Sequence, residues 1–168
     1  MIPLHDDIPT TLRPVVTIVL IVGCVLVFLW QLSLGPQMVQ AVYALGMIPA
    51  VLFDIKQLSP ELAVVPPWLT LLTSMFLHGG WMHLIGNMLY LWIFGNNIED
   101  AMGHGRFIVF FLLCGVIAAM AQALPQAASE IPVIGASGAI SGVLGAYLLL
   151  YPHARVLVLI PLGFILHT

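Results

Sequence analysis

Residues 135–142 read Gly-Ala-Ser-Gly-Ala-Ile-Ser-Gly and open an apolar stretch, so that Ser137 lies at the start of an apolar helix. An earlier apolar stretch carries His78, His83 and Asn87. Polar side chains within hydrocarbon are by default candidates for a functional site. A hydroxyl, imidazoles and a carboxamide are groups that serve nucleophilic chemistry, so these residues predict such a site.

The composition is that of a polytopic membrane protein. Of the 168 residues, 61% are hydrophobic and only 7% are charged, whereas a soluble domain carries about 25% charged residues. The four basic residues are scattered along the chain, which excludes a surface that follows a nucleic-acid backbone. Cys24 and Cys114 fall in apolar runs and read as small buried hydrophobic residues. Neither a disulfide framework nor a zinc-ligand spacing occurs in the sequence.

Four apolar runs predict an all-α membrane protein with four spans. The predicted spans are residues 15–34, 81–95, 107–124 and 137–151. The connections are an outer loop on the membrane surface, a polar turn and a second loop, at residues 35–67, 96–106 and 125–134. The membrane domain of residues 15–155 follows an amino-terminal segment, residues 1–14, and precedes a tail, residues 156–168.

The basic residues predict the orientation, because cytoplasmic segments carry an excess of lysine and arginine. With four spans, the three arginines share one side of the membrane and Lys56 alone faces the other. We therefore expect the amino terminus in the cytoplasm, and the pattern suits a bacterial inner membrane. Ser137, His83 and Asn87 are then expected at similar depth, toward the outer leaflet.

The fourth run is short for a membrane span. Its fifteen residues reach about 22 Å at a rise of 1.5 Å, against a hydrocarbon core of about 30 Å. Either the helix extends upstream through Val133 and Ile134, or it begins below the membrane surface after a loop that dips inward. Irregular backbone at that depth is tolerated where it lines a water-filled cavity. The three glycines around Ser137 favour the second alternative.

Ser137 opens this helix, where free backbone N–H groups and the positive dipole end favour a developing negative charge. A serine nucleophile needs such donors to hold the oxyanion of an acyl-transfer intermediate. Gly135 and Gly138 allow a substrate backbone to approach closely. The alternative is that Gly138 and Gly142 form a helix-packing face. The two interpretations are compatible, because packing brings helices close enough to share a site.

His83 and Asn87 are four residues apart and project from one face of the second helix. A neutral imidazole and a carboxamide can both donate hydrogen bonds to an oxyanion without bringing a charge into lipid. His78 precedes Gly79-Gly80 and is expected in the turn that begins the helix. The alternative for each of these residues is a structural hydrogen bond between helices. A metal site at His78 and His83 lacks a third ligand at a suitable spacing.

The stretch His78-Gly-Gly-Trp-Met-His83-Leu-Ile-Gly-Asn87, followed by Gly135-Ala-Ser137-Gly, resembles the rhomboid family of intramembrane serine proteases. The resemblance is continuous over residues 68–155. It implies a rhomboid-like helical bundle in which four of an expected six transmembrane helices are present. It also implies a Ser–His dyad that needs no cofactor and cleaves single-span membrane proteins within the lipid bilayer.

The resemblance implies a role for each of the polar residues. Ser137 would be the nucleophile, and His83, Asn87 and the Ser137 backbone N–H would form the oxyanion hole. His78 would be a structural residue at the head of the second helix. Near the site, Gly135 would allow close approach, and Gly138 and Gly142 would pack the fourth helix against a later one.

The chain departs from the family pattern at the general base, which the resemblance places on the sixth helix. The tail of residues 156–168 is too short for a span, and His167 follows the cytoplasmic end of the fourth helix. We therefore expect the amino-terminal part of a six-span protease, inactive without its base. The alternative is a non-catalytic rhomboid-like protein that binds transmembrane segments. The intact Ser137, His83 and Asn87 argue against that alternative.

Overall fold

The computed structural model describes residues 2–159, so His167 lies outside the described residues. The described chain is mostly helical, with two short strands. The helices are α1 (Val15–Ser33), α2 (Met38–Leu45), α3 (Pro49–Leu52), α4 (Thr70–Thr73), α5 (Trp81–Met102), α6 (His104–Ala123) and α7 (Ser137–Leu150). Single 3-10 turns lie at Gly35–Gln37, Pro67–Leu69, Ser74–Phe76 and Leu124–Gln126. The strands β1 (Ile2–Asp6) and β2 (Val156–Leu159) pair antiparallel.

Two helices of the described chain are long and apolar enough to cross a membrane, namely α1 and α6 with its 3-10 extension to Gln126. α7 is apolar but has only 14 residues. α1 and α7 begin at Val15 and Ser137, the residues at which two of the predicted spans begin. The count of four spans stays a prediction.

α1 has one buried face and one exposed face, and both are apolar. Its buried residues recur every three or four positions, as Leu20, Cys24 and Phe28 do, and the helix packs on α5. The opposite face exposes Val19 and Leu26, which are as apolar as the buried set. A helix that is apolar all round is typical of a membrane span, because both the core and the lipid accept such side chains.

α7 packs between α5 and α6. A Cβ on Gly138 would lie 2.6 Å from the Cβ of Ala118, and one on Gly142 would meet Cys114. Both glycines therefore bring α7 close to α6, as small residues do between helices in lipid. Within the described residues their partner is the preceding helix, so the expected packing against a later helix stays a prediction. They lie on the face that the antiparallel α6, the preceding helix, approaches.

The prediction of a polar turn over residues 96–106 is wrong. α5 continues to Met102 and α6 begins at His104, with Gly103 alone between the two helices. Gly103 has a φ of +78°, a conformation that a glycine adopts without a steric penalty. The chain therefore reverses within one residue. Of the polar residues that indicated a turn, Glu99 and Asp100 belong to the end of α5 and Arg106 to the start of α6.

Asn97 and Glu99, near the end of α5, are buried because other elements supply their partners. Glu99 is fully buried and accepts hydrogen bonds from the backbone N–H groups of Val16 and Thr17, both at 2.8 Å. The Thr17 hydroxyl donates to the same carboxylate at 2.7 Å, and His104 Nδ1 contacts it as well. Glu99 thus satisfies the free N–H groups at the start of α1, where no local side chain caps the helix.

The segment of residues 35–67 packs on the connection that leads into α7. Met47 and Val133 exchange two backbone hydrogen bonds, at 3.1 and 2.8 Å. The Gly135 N–H donates to the carbonyl of Ser74 at 2.8 Å. These bonds hold the chain ahead of α7 on a non-helical path, so the helix does not extend upstream through residues 133 and 134. Of the two alternatives for the fourth span, the structure favours the one with a loop.

Candidate active site

One end of the bundle gathers the polar residues that the sequence singles out. α5 and α7 begin at this end, and α1 and α6 finish there, as the contacts of Gln31 with His78 and of Ala118 with Gly138 require. We call it the Ser137 end. The strands β1 and β2 lie at the opposite end of α7, where Asp6 accepts a hydrogen bond from Tyr147.

The backbone at Gly135 brings the two halves of the motif together. A Cβ placed on Gly135 would lie 2.6 Å from Nε2 of His83 and 3.7 Å from Nδ2 of Asn87. Gly135 has a φ of +114°, which L side chains rarely adopt, so both conformation and space require glycine here. Ser137 follows two residues later as the first residue of α7. The predicted nucleophile and the two predicted oxyanion donors therefore lie at one site.

The hydrogen bond to the other ring nitrogen sets the tautomer of His83. The Gly79 N–H donates to His83 Nδ1 at 3.4 Å, so the proton of a neutral ring belongs on Nε2. Nε2 is the atom that faces Gly135. A half-buried imidazole in this tautomer presents an N–H donor to the space beside the start of α7.

Asn87 contributes a second hydrogen-bond donor to the site, its side-chain amide. Its side chain is buried, and within the described residues its Nδ2 has no hydrogen-bond partner. A buried donor left without a partner costs about 1–3 kcal/mol. Such a group is therefore expected at a site where a ligand or a transient charge supplies the acceptor. The Asn87 amide faces the same backbone, at Gly135, as His83 does.

The start of α7 adds backbone donors. α7 begins without a side-chain cap, and the first N–H groups of a helix have no intrahelical acceptor. They also carry the positive end of the helix dipole, which favours an anion. The Ser141 hydroxyl donates to the carbonyl of Ser137 at 2.8 Å, one turn along, so this hydrogen bond does not involve those N–H groups. Together with His83 and Asn87 they could hold an oxyanion next to Ser137.

His78 is fully buried behind His83. Its ring packs edge-on against the His83 ring with centroids 5.1 Å apart, and its Nδ1 lies 3.2 Å from the carbonyl of Phe76. Burial lowers the pKa of His78 to about 4. The hydrogen bond to Phe76 raises this pKa in part, and the neighbouring His83 lowers it. The ring is therefore neutral at physiological pH and supports His83 sterically.

Gln31 of α1 fixes the backbone that carries His78, and sequence reasoning missed it. The Gln31 Oε1 accepts the His78 N–H at 3.0 Å, and its Nε2 donates to the His78 carbonyl at 3.3 Å. Gln31 is itself fully buried. The available signal was a single amide inside an otherwise apolar run, since such a residue in a span needs a specific partner.

A cavity of about 470 Å³ opens beside the site. Its lining comes mainly from α6, α7 and the connection between them, together with Pro49, Ser74 and Met75. It includes Ser137, Ser141 and Gln122. Small residues such as Ala118 and Gly138 leave the space open. Hydroxyl and amide groups on its wall can hold water near Ser137.

The other described histidines lie away from Ser137. His104 contacts Glu99 at the opposite end of the bundle, and His5 lies in β1. Among residues 2–159 there is also no group of three or more His, Cys, Asp and Glu residues that could hold a metal ion. The described part of the site therefore consists of a hydroxyl, two side-chain hydrogen-bond donors and a helix start.

Comparison with known sequences identifies the family. A family model described as the Rhomboid domain matches residues 66–168, which is more than half of the chain. The chain belongs to the rhomboid family. Both halves of the motif, residues 78–87 and residues 135–138, fall within the matched region. Rhomboid membership and the two long apolar helices together show an integral membrane protein.

Curated rhomboid relatives match parts of the chain. The Rhomboid protease GluP of Bacillus subtilis is 43% identical over 81 residues, which are 48% of this chain and 15% of that protein. Rhomboid protein 1, mitochondrial, of Saccharomyces cerevisiae is 32% identical over 96 residues, 55% of this chain and 28% of that protein. Presenilin-associated rhomboid-like protein A, mitochondrial, of Danio rerio is 30% identical over 155 residues, 86% of this chain and 40% of that protein. The matches thus cover 40% or less of each of these three relatives.

Proposed function

We propose that the full-length protein is a rhomboid-type serine endopeptidase that cleaves transmembrane protein segments within the membrane. The observation that carries this proposal is the approach of Gly135 to His83 and Asn87. It places two side chains that can donate hydrogen bonds two residues from a serine at a helix start. A structural role alone would give the Asn87 amide a partner, and within the described residues its Nδ2 has none.

In this proposal Ser137 Oγ attacks the scissile carbonyl carbon, whose oxygen becomes an oxyanion. His83 Nε2–H, Asn87 Nδ2–H and the Ser137 backbone N–H donate to that oxygen, and each such donor is worth about 3 kcal/mol in the transition state. The hydroxyl proton passes to a general-base histidine, which the family resemblance places on a later helix. That histidine then protonates the leaving amine as the scissile C–N bond breaks, which forms the acyl-enzyme and releases the first product. Water from the cavity beside Ser137 then attacks the acyl-enzyme and regenerates the serine.

The substrate class follows from the place of the site. A helical peptide bond hides its carbonyl in an i to i+4 hydrogen bond, so a spanning substrate must unwind locally before Ser137 can attack it. We propose single-span membrane proteins as substrates, cleaved toward the outer leaflet, with the amino terminus of the enzyme in the cytoplasm. A bacterial inner membrane suits the charge pattern, although relatives in mitochondria and chloroplasts match this chain as well.

The test uses the full-length protein in proteoliposomes with a fluorescent single-span segment as the probe. Ser137→Ala is expected to abolish cleavage and labelling by a fluorophosphonate. The matched control is Ser33→Ala, which removes an exposed hydroxyl bonded only to the Trp30 carbonyl at the end of α1. Equal cleavage by Ser137→Ala and wild type would contradict the nucleophile assignment. Retention of the probe without cleavage or labelling of the wild type would favour the non-catalytic binding protein.

A further inference from the structure

A buried carboxylate at the opposite end of α7 plays no part in the proposed chemistry. Asp6, the last residue of β1, is only 6% exposed. It accepts hydrogen bonds from the hydroxyl of Tyr147 at 2.8 Å and from Nδ2 of Asn97. Asn97 belongs to α5 and Tyr147 to α7, so one side chain of the amino-terminal strand joins both helices. We call Asp6, Asn97 and Tyr147 the Asp6 cluster.

The strand that carries Asp6 is itself fixed. β1 pairs with β2, the strand that leaves the carboxyl end of α7, and Asp6 is aligned with Val156 in that pairing. Asp7 accepts the Arg155 N–H through its carboxylate at 2.8 Å and donates its own N–H to the Arg155 carbonyl at 3.2 Å. The amino-terminal segment therefore lies across the ends of α5 and α7 and contacts both helices.

At its start α7 is held through Gly135, whose N–H donates to the Ser74 carbonyl, but the packing of α7 on α6 does little to set its position along the helix axis. Gly138 and Gly142 give α7 a smooth contact with Ala118 and Cys114 of α6, which sets the distance between the helices. Where no large side chains interdigitate, helix packing resists the separation of the two helices more than the sliding of one helix along the other. A directional hydrogen bond opposes sliding. The Tyr147 hydroxyl makes such a bond, while its ring packs on Phe94 of α5 at a centroid distance of 4.8 Å.

Axial position matters because the site is divided between two helices. Ser137 lies on α7 and its proposed oxyanion donors lie on α5. Tyr147 is ten residues after Ser137, about 15 Å along the same helix. A helix transmits an axial shift over that length almost unchanged. A displacement of 1 Å between reacting groups can lower a rate by about 10²-fold.

We propose that Asp6 is a positioning residue that sets the register of Ser137 against His83 and Asn87 through Tyr147. In this proposal the amino-terminal strand positions the residues of the candidate active site, although it lies at the opposite end of the bundle. Removing the bond between Asp6 and Tyr147 lets α7 slide while the packing of the bundle is kept. This inference rests on the proposed proteolytic function only for its kinetic readout.

The first experiment compares Tyr147→Phe with Tyr151→Phe in the full-length protein. Each substitution deletes one hydroxyl from α7, but the Tyr151 hydroxyl donates to the Asn97 carbonyl at 3.4 Å and does not contact Asp6. Tyr147→Phe is expected to lower kcat about tenfold with KM unchanged, while Tyr151→Phe stays near wild type. Asp6→Ala is expected to match Tyr147→Phe, and the double variant is expected to be no worse. The control for Asp6→Ala is His5→Ala, at the preceding and exposed position of the same strand.

The second readout does not depend on activity. Amide hydrogen exchange of residues 135–141 is expected to rise in Tyr147→Phe and Asp6→Ala, at temperatures where both variants remain folded. Unchanged exchange there together with unchanged kcat overturns the proposal. An equal rise over all helices, with kcat falling only as the folded fraction falls, also overturns it. A wild type that cleaves nothing contradicts the proposed function, and the exchange of residues 135–141 still decides the role of Asp6.

Discussion

Gly135 lies so close to His83 that a methyl group on its Cα would be 2.6 Å from the imidazole Nε2. Gly135→Ala therefore meets both a clash and an unfavourable φ of +114°. We expect a destabilisation of about 1–3 kcal/mol from the backbone strain, and a fall in cleavage of about 10²-fold because the start of α7 is displaced. Proteolysis in liposomes and thermal unfolding measure the two effects.

The matched control for this glycine is Gly105→Ala. Gly105 lies in α6 at the opposite end of the bundle, and a Cβ there would meet nothing within 4 Å. Alanine is favoured over glycine in a helix by about 1 kcal/mol, so this variant is expected to be at least as stable as wild type. If Gly135→Ala behaves as the control does, the close approach at His83 has no functional importance.

Asn87→Leu separates function from stability. It replaces a buried amide, whose Nδ2 lacks a partner among the described residues, by an apolar group of similar size. Removing an unsatisfied buried donor is neutral or stabilising, so we expect an unchanged or higher melting temperature. Loss of one oxyanion donor is expected to lower kcat by about 10²–10³-fold. A variant that is less stable yet fully active would show that Asn87 is only structural.

The residues of the candidate site could be proposed from the sequence because they lie in local patterns. Ser137 stands among glycines at the start of an apolar run, and His83 and Asn87 are four residues apart on one helix face. The meeting of the two patterns followed from topology, since α5 and α7 both begin at the Ser137 end. The close contact itself, through the positive φ of Gly135, needed the structure.

The polar stretch after residue 95 was misread because its partners are remote in sequence. Glu99 bonds with Thr17 across 82 positions, and Asn97 bonds with Asp6 across 91. Composition alone assigns such residues to a turn, because an unpaired buried carboxylate is unfavourable. The residue pattern within one helix does not reveal which donor from another element will pair with a buried carboxylate. The same reasoning explains why Gln31 and Tyr147 were missed.

Glu99→Ala is expected to be strongly destabilising. The change leaves the N–H groups of Val16 and Thr17 without their acceptor at the start of α1. Hydrogen bonds to charged groups contribute about 1.5–3 kcal/mol each, so a loss of several kcal/mol follows, while Glu99→Gln retains part of it. The control is Glu61→Ala, at an exposed position. Thermal unfolding in detergent gives the comparison, and equal midpoints for the two alanine variants would contradict the capping role.

His78 is expected to make stability depend on pH below neutrality. Burial lowers its pKa from 6.5 to about 4, so the unfolded chain binds the proton more tightly than the folded one. Stability is therefore complete above pH 6.5 and falls as the pH drops toward 4, by about 2 kcal/mol between pH 7 and 5. Unfolding midpoints measured across this range should show the slope in wild type and in His153→Ala, whose histidine is exposed. His78→Phe should remove most of it, because the ring that must be neutral in the fold is gone. A slope retained in His78→Phe would assign the dependence to another group.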